Sequence, residues 1–260
     1  MKSSFTLLLL IIVGVLASSC GSQDPIKASC DSQPVSHEIF DELLKKHVSN
    51  SGEVNYKGFI ADSVKFNEYF QLLETNHPLR KWTDNERLAY WINAYNAYTI
   101  RLIYRNYPVE SIKELGGSIY KVNTSWDIKF INICGEIYDI NNIEHQKIRG
   151  QFAEPRIHFA VNCASVSCPK LLNEAFIAGK LDEQLDRVAK EFINNTAKNR
   201  ISSEKASLSK IFKWYSGDFE QGKESALGFI NKYANTKLTE QTEIEFMDYN
   251  WNLNDVGSAE

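Results

Sequence analysis

Reactive side chains crowd into one stretch of the chain. IEHQKIRG (143–150) and RIHFAVNCASVSCPK (156–170) hold His145, His158, Asn162, Cys163, Ser165, Ser167 and Cys168, so two of five histidines and two of five cysteines fall within 24 residues. A cysteine attacks as its thiolate, which needs a base or a positive end close by, and histidine oriented by Glu, Asp or Asn is the usual arrangement. Cys163 as nucleophile, His145 or His158 as its base, and Glu144 or Asn162 as orienter would meet that need. The class implied is an exported cysteine-dependent enzyme acting on peptides, peptidoglycan or other amide bonds. A second reading is redox or structural: Cys163 and Cys168 lie five apart, a turn can close them into a disulfide, and Pro169 stiffens the exit. Zinc held by Cys163, Cys168, His145 and His158 is a third, but histidines thirteen apart match no finger spacing, and no metal is assigned. In the plainest reading the histidines are satisfied core groups and the thiols pack as small hydrophobes.

The elements that must position these groups follow from periodicity and breakers. His37 to Lys46 and Asp62 to Glu74 carry apolar residues at helical spacing. Thr83-Asp84-Asn85-Glu86 has the spacing of a capping box and starts a long helix, Asp84 to about Asn106, which Tyr107-Pro108 stops. That helix is apolar or aromatic on almost every side, which predicts a central, buried position. Its Trp91, Tyr95 and Tyr98 read as core. Asn93 and Asn96, three apart, can meet a substrate or bond other chain segments, since a buried amide must find partners. WDIKFINICGEIYD (126–139) alternates on either side of Gly135 and predicts a hairpin, and Asn141 or Asn142 can cap a short helix through Arg149. Arg156 to Asn162 is expected as an interior strand, with His158, Ala160 and Asn162 on one face and Ile157, Phe159, Val161 and Cys163 on the other. Leu181 to Ile193 marks an amphipathic helix, Ile211 to Tyr215 and Ala226 to Tyr233 further helical pieces, and Glu243 to Asp248 a closing strand. The expected fold is α+β, a helix-rich single domain around a small, mainly antiparallel sheet.

The ends and the composition bound the setting. MKSSFTLLLLIIVGVLASSC has one cation, an apolar run from Phe5 to Ala17 and small residues up to Cys20, the layout of a secretory signal. The run is shorter than the roughly 20 residues a membrane span needs. Its Ala-Ser-Ser-Cys ending resembles the lipobox of bacterial lipoproteins, whose cysteine is acylated and becomes the new N-terminus. The expected organisation is a signal peptide over 1–19, a flexible tether over 20–34, a globular domain over 35–254 and a tail over 255–260. The expected location is the bacterial cell envelope, anchored to the outer membrane by lipid on Cys20. With 43% hydrophobic residues and a net charge of −4 over its 260 residues the sequence is that of an ordinary globular protein. It has no basic stripe, so nucleic acid is not an expected partner, and no motif names a cofactor. Removing Cys20 leaves Cys30, Cys134, Cys163 and Cys168, an even set whose three possible pairings the sequence leaves open.

Five segments taken together carry a resemblance. ERLAYWINAYNAYTIRLIYRNYPVESI, NNIEHQKIR, RIHFAVNCASVSCPKL, IFKWYSGDF and MDYNWNLN, in that order, resemble the family catalogued as domain of unknown function 547, over roughly Tyr56 to Leu253. Bacterial members are often exported or lipid-anchored, which agrees with the N-terminal signal. The resemblance implies no particular reaction. It marks Asn93, Asn96, Arg149, Ser165 and Cys168 as binding candidates beside the catalytic candidates Cys163, His145, His158, Glu144 and Asn162. It also matches Pro169.

Overall fold

A computed structural model describes residues 30, 32–117, 124–220 and 225–256. The signal at 1–19, the acceptor Cys20, most of the expected tether and tail positions 257–260 lie outside the described residues. Helix α1 (Glu38–His47) turns Phe40, Leu43, Leu44 and His47 inward, a spacing that places all four on one face. Asn55 caps α2 (Tyr56–Ala61) by accepting the Gly58 N–H. In α3 (Ser63–Thr75) Phe66, Tyr69, Phe70 and Leu73 form the inner face, and Tyr69 stacks on Phe40 with ring centroids 5.0 Å apart.

The expected capping box is present: Thr83 accepts the Glu86 N–H, and Glu86 accepts the Thr83 N–H at 2.7 Å. It launches α4 (Asp84–Asn106), where an unbroken run from Leu88 to Ile100 is buried. Each large apolar side chain taken out of water there contributes roughly 1.5–3 kcal/mol, so α4 is the axis of the core. Strands β1 (Ile131–Ile133) and β2 (Glu136–Tyr138) pair antiparallel. Cys134 and Gly135 turn between them, both at positive φ (53° and 83°), which is the backbone of a type I′ hairpin turn. A disulfide joins Cys134 to Cys30.

One predicted element is overturned. Residues 155–159 form a 3-10 helix, not part of a strand over 156–162. Pro155 stands at its start with φ preset for helix and no N–H to donate, and the Glu154 side chain accepts the Arg156 N–H. Packing on α5 (Leu181–Ile193), with Phe159 stacked on Phe192 at 5.0 Å, accounts for the apolar run that suggested a strand. A short buried apolar run looks alike in both conformations.

Beyond α5, β3 (Arg200–Ile201) pairs antiparallel with β4 (Lys205–Leu208), and β4 pairs parallel with β5 (Glu243–Phe246). Helices α6 (Lys210–Trp214), α7 (Ser216–Phe219) and α8 (Ala226–Tyr233) lie between β4 and β5 in the chain. The architecture is a helix-rich α+β domain with two small sheets. No helix among the described residues is long and apolar enough to cross a membrane.

Candidate active site

The site is built on the loop from Asn162 to Pro169, which α4 and the C-terminal segment hold from two sides. Asn96 of α4 donates from Nδ2 to the Ala160 carbonyl at 2.9 Å and accepts the Asn162 N–H at 2.8 Å, all in the interior. The Asn162 side chain accepts the Ala164 N–H at 2.9 Å, an Asx turn, and donates to the Pro169 carbonyl at 2.7 Å. Ala164 takes φ 62°, a left-handed conformation uncommon for a residue with a Cβ, and is fully buried. Its carbonyl accepts the Asn254 N–H, while Ser165 bridges Leu253 and the Val166 and Ser167 N–H groups donate to Asn252 and Asn250. These contacts fix the strained residue immediately after Cys163, a kind of strain found disproportionately at functional sites.

Cys163 is partly exposed and Cys168 buried, both as free thiols, with their sulfurs 3.0 Å apart. The Cys163 N–H donates to the Cys168 sulfur at 3.0 Å. Ser165 Oγ lies 3.2 Å and the Tyr249 hydroxyl 3.4 Å from the Cys163 sulfur. Hydrogen bonding by Cys168, then by Ser165 and Tyr249, outweighs the burial that opposes ionisation and brings the Cys163 thiol down to about 7. Cys168 moves the other way: burial and the charge of its neighbour push its thiol well up.

Cys163 opens into a cleft of about 270 Å³. Trp126, Trp214, Tyr215, Tyr249 and Trp251 line it. Their rings are in contact, Tyr249 to Trp251 at 4.5 Å and Trp214 to Tyr249 at 4.8 Å, and Trp214 remains 46% exposed. Glu144, His145 and His158 line the same cleft. A π-helical turn over Asn142–Ile148, closed by the Arg149 N–H to the Glu144 carbonyl at 2.8 Å, carries Glu144 and His145. Such turns occur often at functional sites. Glu144 accepts the Tyr215 hydroxyl at 2.7 Å.

Neither histidine makes a hydrogen bond to Cys163. His158 Nε2 is bonded to Asp218 at 2.7 Å, with its ring stacked on Tyr215 at 3.9 Å. Burial holds this imidazole below its ordinary pKa, opposed by the Asp218 carboxylate. Burial would raise Asp218, but bonds from His158 and Arg149 hold it far below the usual carboxylate range. Arg149 grips Asp218 through two nitrogens and donates a third bond to His145 Nδ1 at 2.8 Å. With Nδ1 accepting from a guanidinium, neutral His145 carries its proton on Nε2. The strand geometry that set His158 and Cys163 on opposite faces does not exist. Both now face one cleft from a helical turn and a loop.

The remaining predicted residues divide by place. Asn93 spends its amide on Phe176, donating to the carbonyl at 2.7 Å and accepting the N–H at 3.0 Å, and Asn96 is occupied as described. Asn162 is turned inward as a loop clamp. Ser165 and Cys168 touch the Cys163 sulfur, and no cluster of three or more potential metal ligands is gathered among the described residues. Sequence reasoning missed Tyr249, Trp251, Trp214, Tyr215 and Asp218 as site residues. The signal was present, since IFKWYSGDF and MDYNWNLN were two of the five segments carrying the resemblance.

Fold and site together define a helix-rich α+β domain with a thiol cleft walled by aromatic rings. Residues 79–193 match the family model described as "Protein of unknown function, DUF547". The matched stretch holds α4, the π-turn, the thiol loop and α5, and supports a DUF547 domain there, while the aromatic wall from Trp214 to Trp251 lies beyond it. Searches of curated proteins and of solved structures gave no match.

Proposed function

We propose that this is a lipid-anchored cell-envelope protein that uses Cys163 as the nucleophile of a thiol-dependent hydrolase or transferase. The reading rests on one observation: a partly exposed sulfur, met by three hydrogen-bonding neighbours and lowered to about 7, at the floor of an aromatic cleft. Half ionised near neutral pH, such a thiol needs no histidine base in contact with it. The thiolate would attack an acyl carbon and form a thioester as the bond to the leaving group breaks. Water or an acceptor then takes the acyl group and restores the thiol. In this reading His145 Nε2–H and the Tyr249 hydroxyl, both of residues that line the cleft, would donate to the charge that moves onto the acyl oxygen. Iodoacetamide alkylation of Cys163 should rise with pH through an inflection near 7 and shift upward in Tyr249→Phe. An inflection at the ordinary thiol value of about 8.5 would overturn the reading.

Anchoring is supported by the order Lys2, apolar run, small residues, Cys20. Cys20→Ser is expected to move the protein from the membrane fraction to the soluble one, and a variant that stays with the membrane would remove the anchor from the proposal. The 3.0 Å gap between the sulfurs also favours a second reading, a non-catalytic binding or scaffolding module with a closed Cys163–Cys168 bond. Alkylation of Cys163 only after reduction would point to that module.

A further inference from the structure

We propose that Cys163 and Cys168 act as attacking and resolving thiols in exchange with a disulfide-bonded substrate, with Lys198 providing the positive charge beside the resolving sulfur. The inference rests on Cys163 being the thiolate proposed above, and extends it to a second kind of electrophile. Its basis is the asymmetry of the pair. Cys163 opens to the aromatic cleft, whereas Cys168 is 5% exposed, reachable by its neighbour's sulfur and hardly by a substrate. A disulfide has an S–S length of about 2 Å, so the sulfurs at 3.0 Å need approach by only about 1 Å to bond.

Behind the loop lies a second, polar cavity of about 480 Å³, lined by Cys168, Pro169, Asn162 and Lys198 among others. Cys168 and Pro169 face both cavities, so the loop is a thin partition. Lys198 donates to the Val166 carbonyl of this loop. It forms no salt bridge among the described residues, although Glu53, Lys170, Glu191 and Asp255 line the same cavity. A half-buried ammonium without a carboxylate partner favours a thiolate when one forms beside it. Its own pKa is lowered by burial, as expected for a cation awaiting an anion.

The chemistry balances. The Cys163 thiolate attacks one sulfur of R–S–S–R′, forming a mixed disulfide while R′–S⁻ leaves. The leaving thiolate takes the Cys168 proton, directly or through water. Cys168, now a thiolate beside Lys198, attacks the Cys163 sulfur. The bond to R breaks and R–S⁻ is protonated by solvent. Two electrons pass from the protein to the substrate, and an external dithiol reductant must return them. The aromatic wall fits a disulfide flanked by apolar or aromatic residues of a peptide.

Glutathione disulfide, followed by mass spectrometry without reduction, tests the roles. The wild type should lose two hydrogens, retain no glutathione and release two reduced glutathiones per disulfide consumed. Cys168→Ser should retain one glutathione on Cys163, and Cys168→Ala, which brings no polar group into the buried position, should do the same. Cys163→Ser should react at least tenfold more slowly at pH 7, since each pH unit below a thiol's pKa costs tenfold in thiolate. Lys198→Met should make the mixed disulfide accumulate transiently, with resolution moved to higher pH. Lys198→Arg should restore it. A wild type that keeps glutathione permanently while Cys163 still alkylates with an inflection near 7 would overturn the resolving pair and leave the thiolate reading standing. A Cys163 that neither alkylates near pH 7 nor accepts glutathione would overturn both.

Discussion

Replacing Asn96 by alanine is expected to lower the unfolding free energy by about 2–5 kcal/mol, because it removes two buried hydrogen bonds and strands a carbonyl and an N–H in the interior. The stranded groups are those of Ala160 and Asn162, on either side of the turn that leads to Cys163. Urea unfolding measures the loss, and a cost below about 1 kcal/mol, the usual net worth of one hydrogen bond, would mean that the bridge does not hold the loop. Asn96→Asp separates the two halves of the effect: a carboxylate still accepts the Asn162 N–H but offers nothing to the Ala160 carbonyl. Its stability should therefore also fall. Because the bridge places Cys163 against Ser165 and Tyr249, alkylation of Cys163 in both variants should lose its low inflection before the protein unfolds.

Removing the Cys30–Cys134 bond through the double substitution Cys30→Ser with Cys134→Ser should cost about 4–5 kcal/mol, the value expected when a closed loop of about 100 residues is opened in the unfolded chain. The two cysteines are 104 positions apart. The loop they close contains α1 through α4, so the constraint falls on the part of the chain with the densest core. Comparing urea midpoints of the double variant and the wild type checks the figure. Equal midpoints would show that the unfolded state gains nothing from release. The low-pH inflection of Cys163 should survive this change, since neither residue touches the cleft.

How far the sequence could be read depended on how local the determining contacts were. The bounds of α4 were legible because its start is a capping box of adjacent residues and its end a proline. The hairpin was legible because Gly135 sits in the turn. The turn at Pro155 was misread: the apolar residues after it pack on α5, more than twenty positions further on, and a run so short has no period of its own. The cleft shows the same division. Cys163, His145, His158 and Glu144 were visible as a cluster in the chain, and all four line the cleft. The partners that decide their chemistry come from elsewhere: Asp218 lies 60 positions from His158, and Tyr249 lies 86 from Cys163. No spacing rule links such positions, so a histidine base for Cys163 was inferred from nearness in sequence, whereas the sulfur meets hydroxyls and a second thiol.

The pairing of the cysteines also bears on how the chain matures. The bonded pair, Cys30 and Cys134, both precede Cys163, so on a chain that emerges N-terminus first both partners of the long loop are present before the two free thiols arrive. The hydroxyl of Tyr249 arrives later still, with the C-terminal segment that clamps the thiol loop. Until that segment docks, Cys163 lacks one of its hydrogen-bond partners.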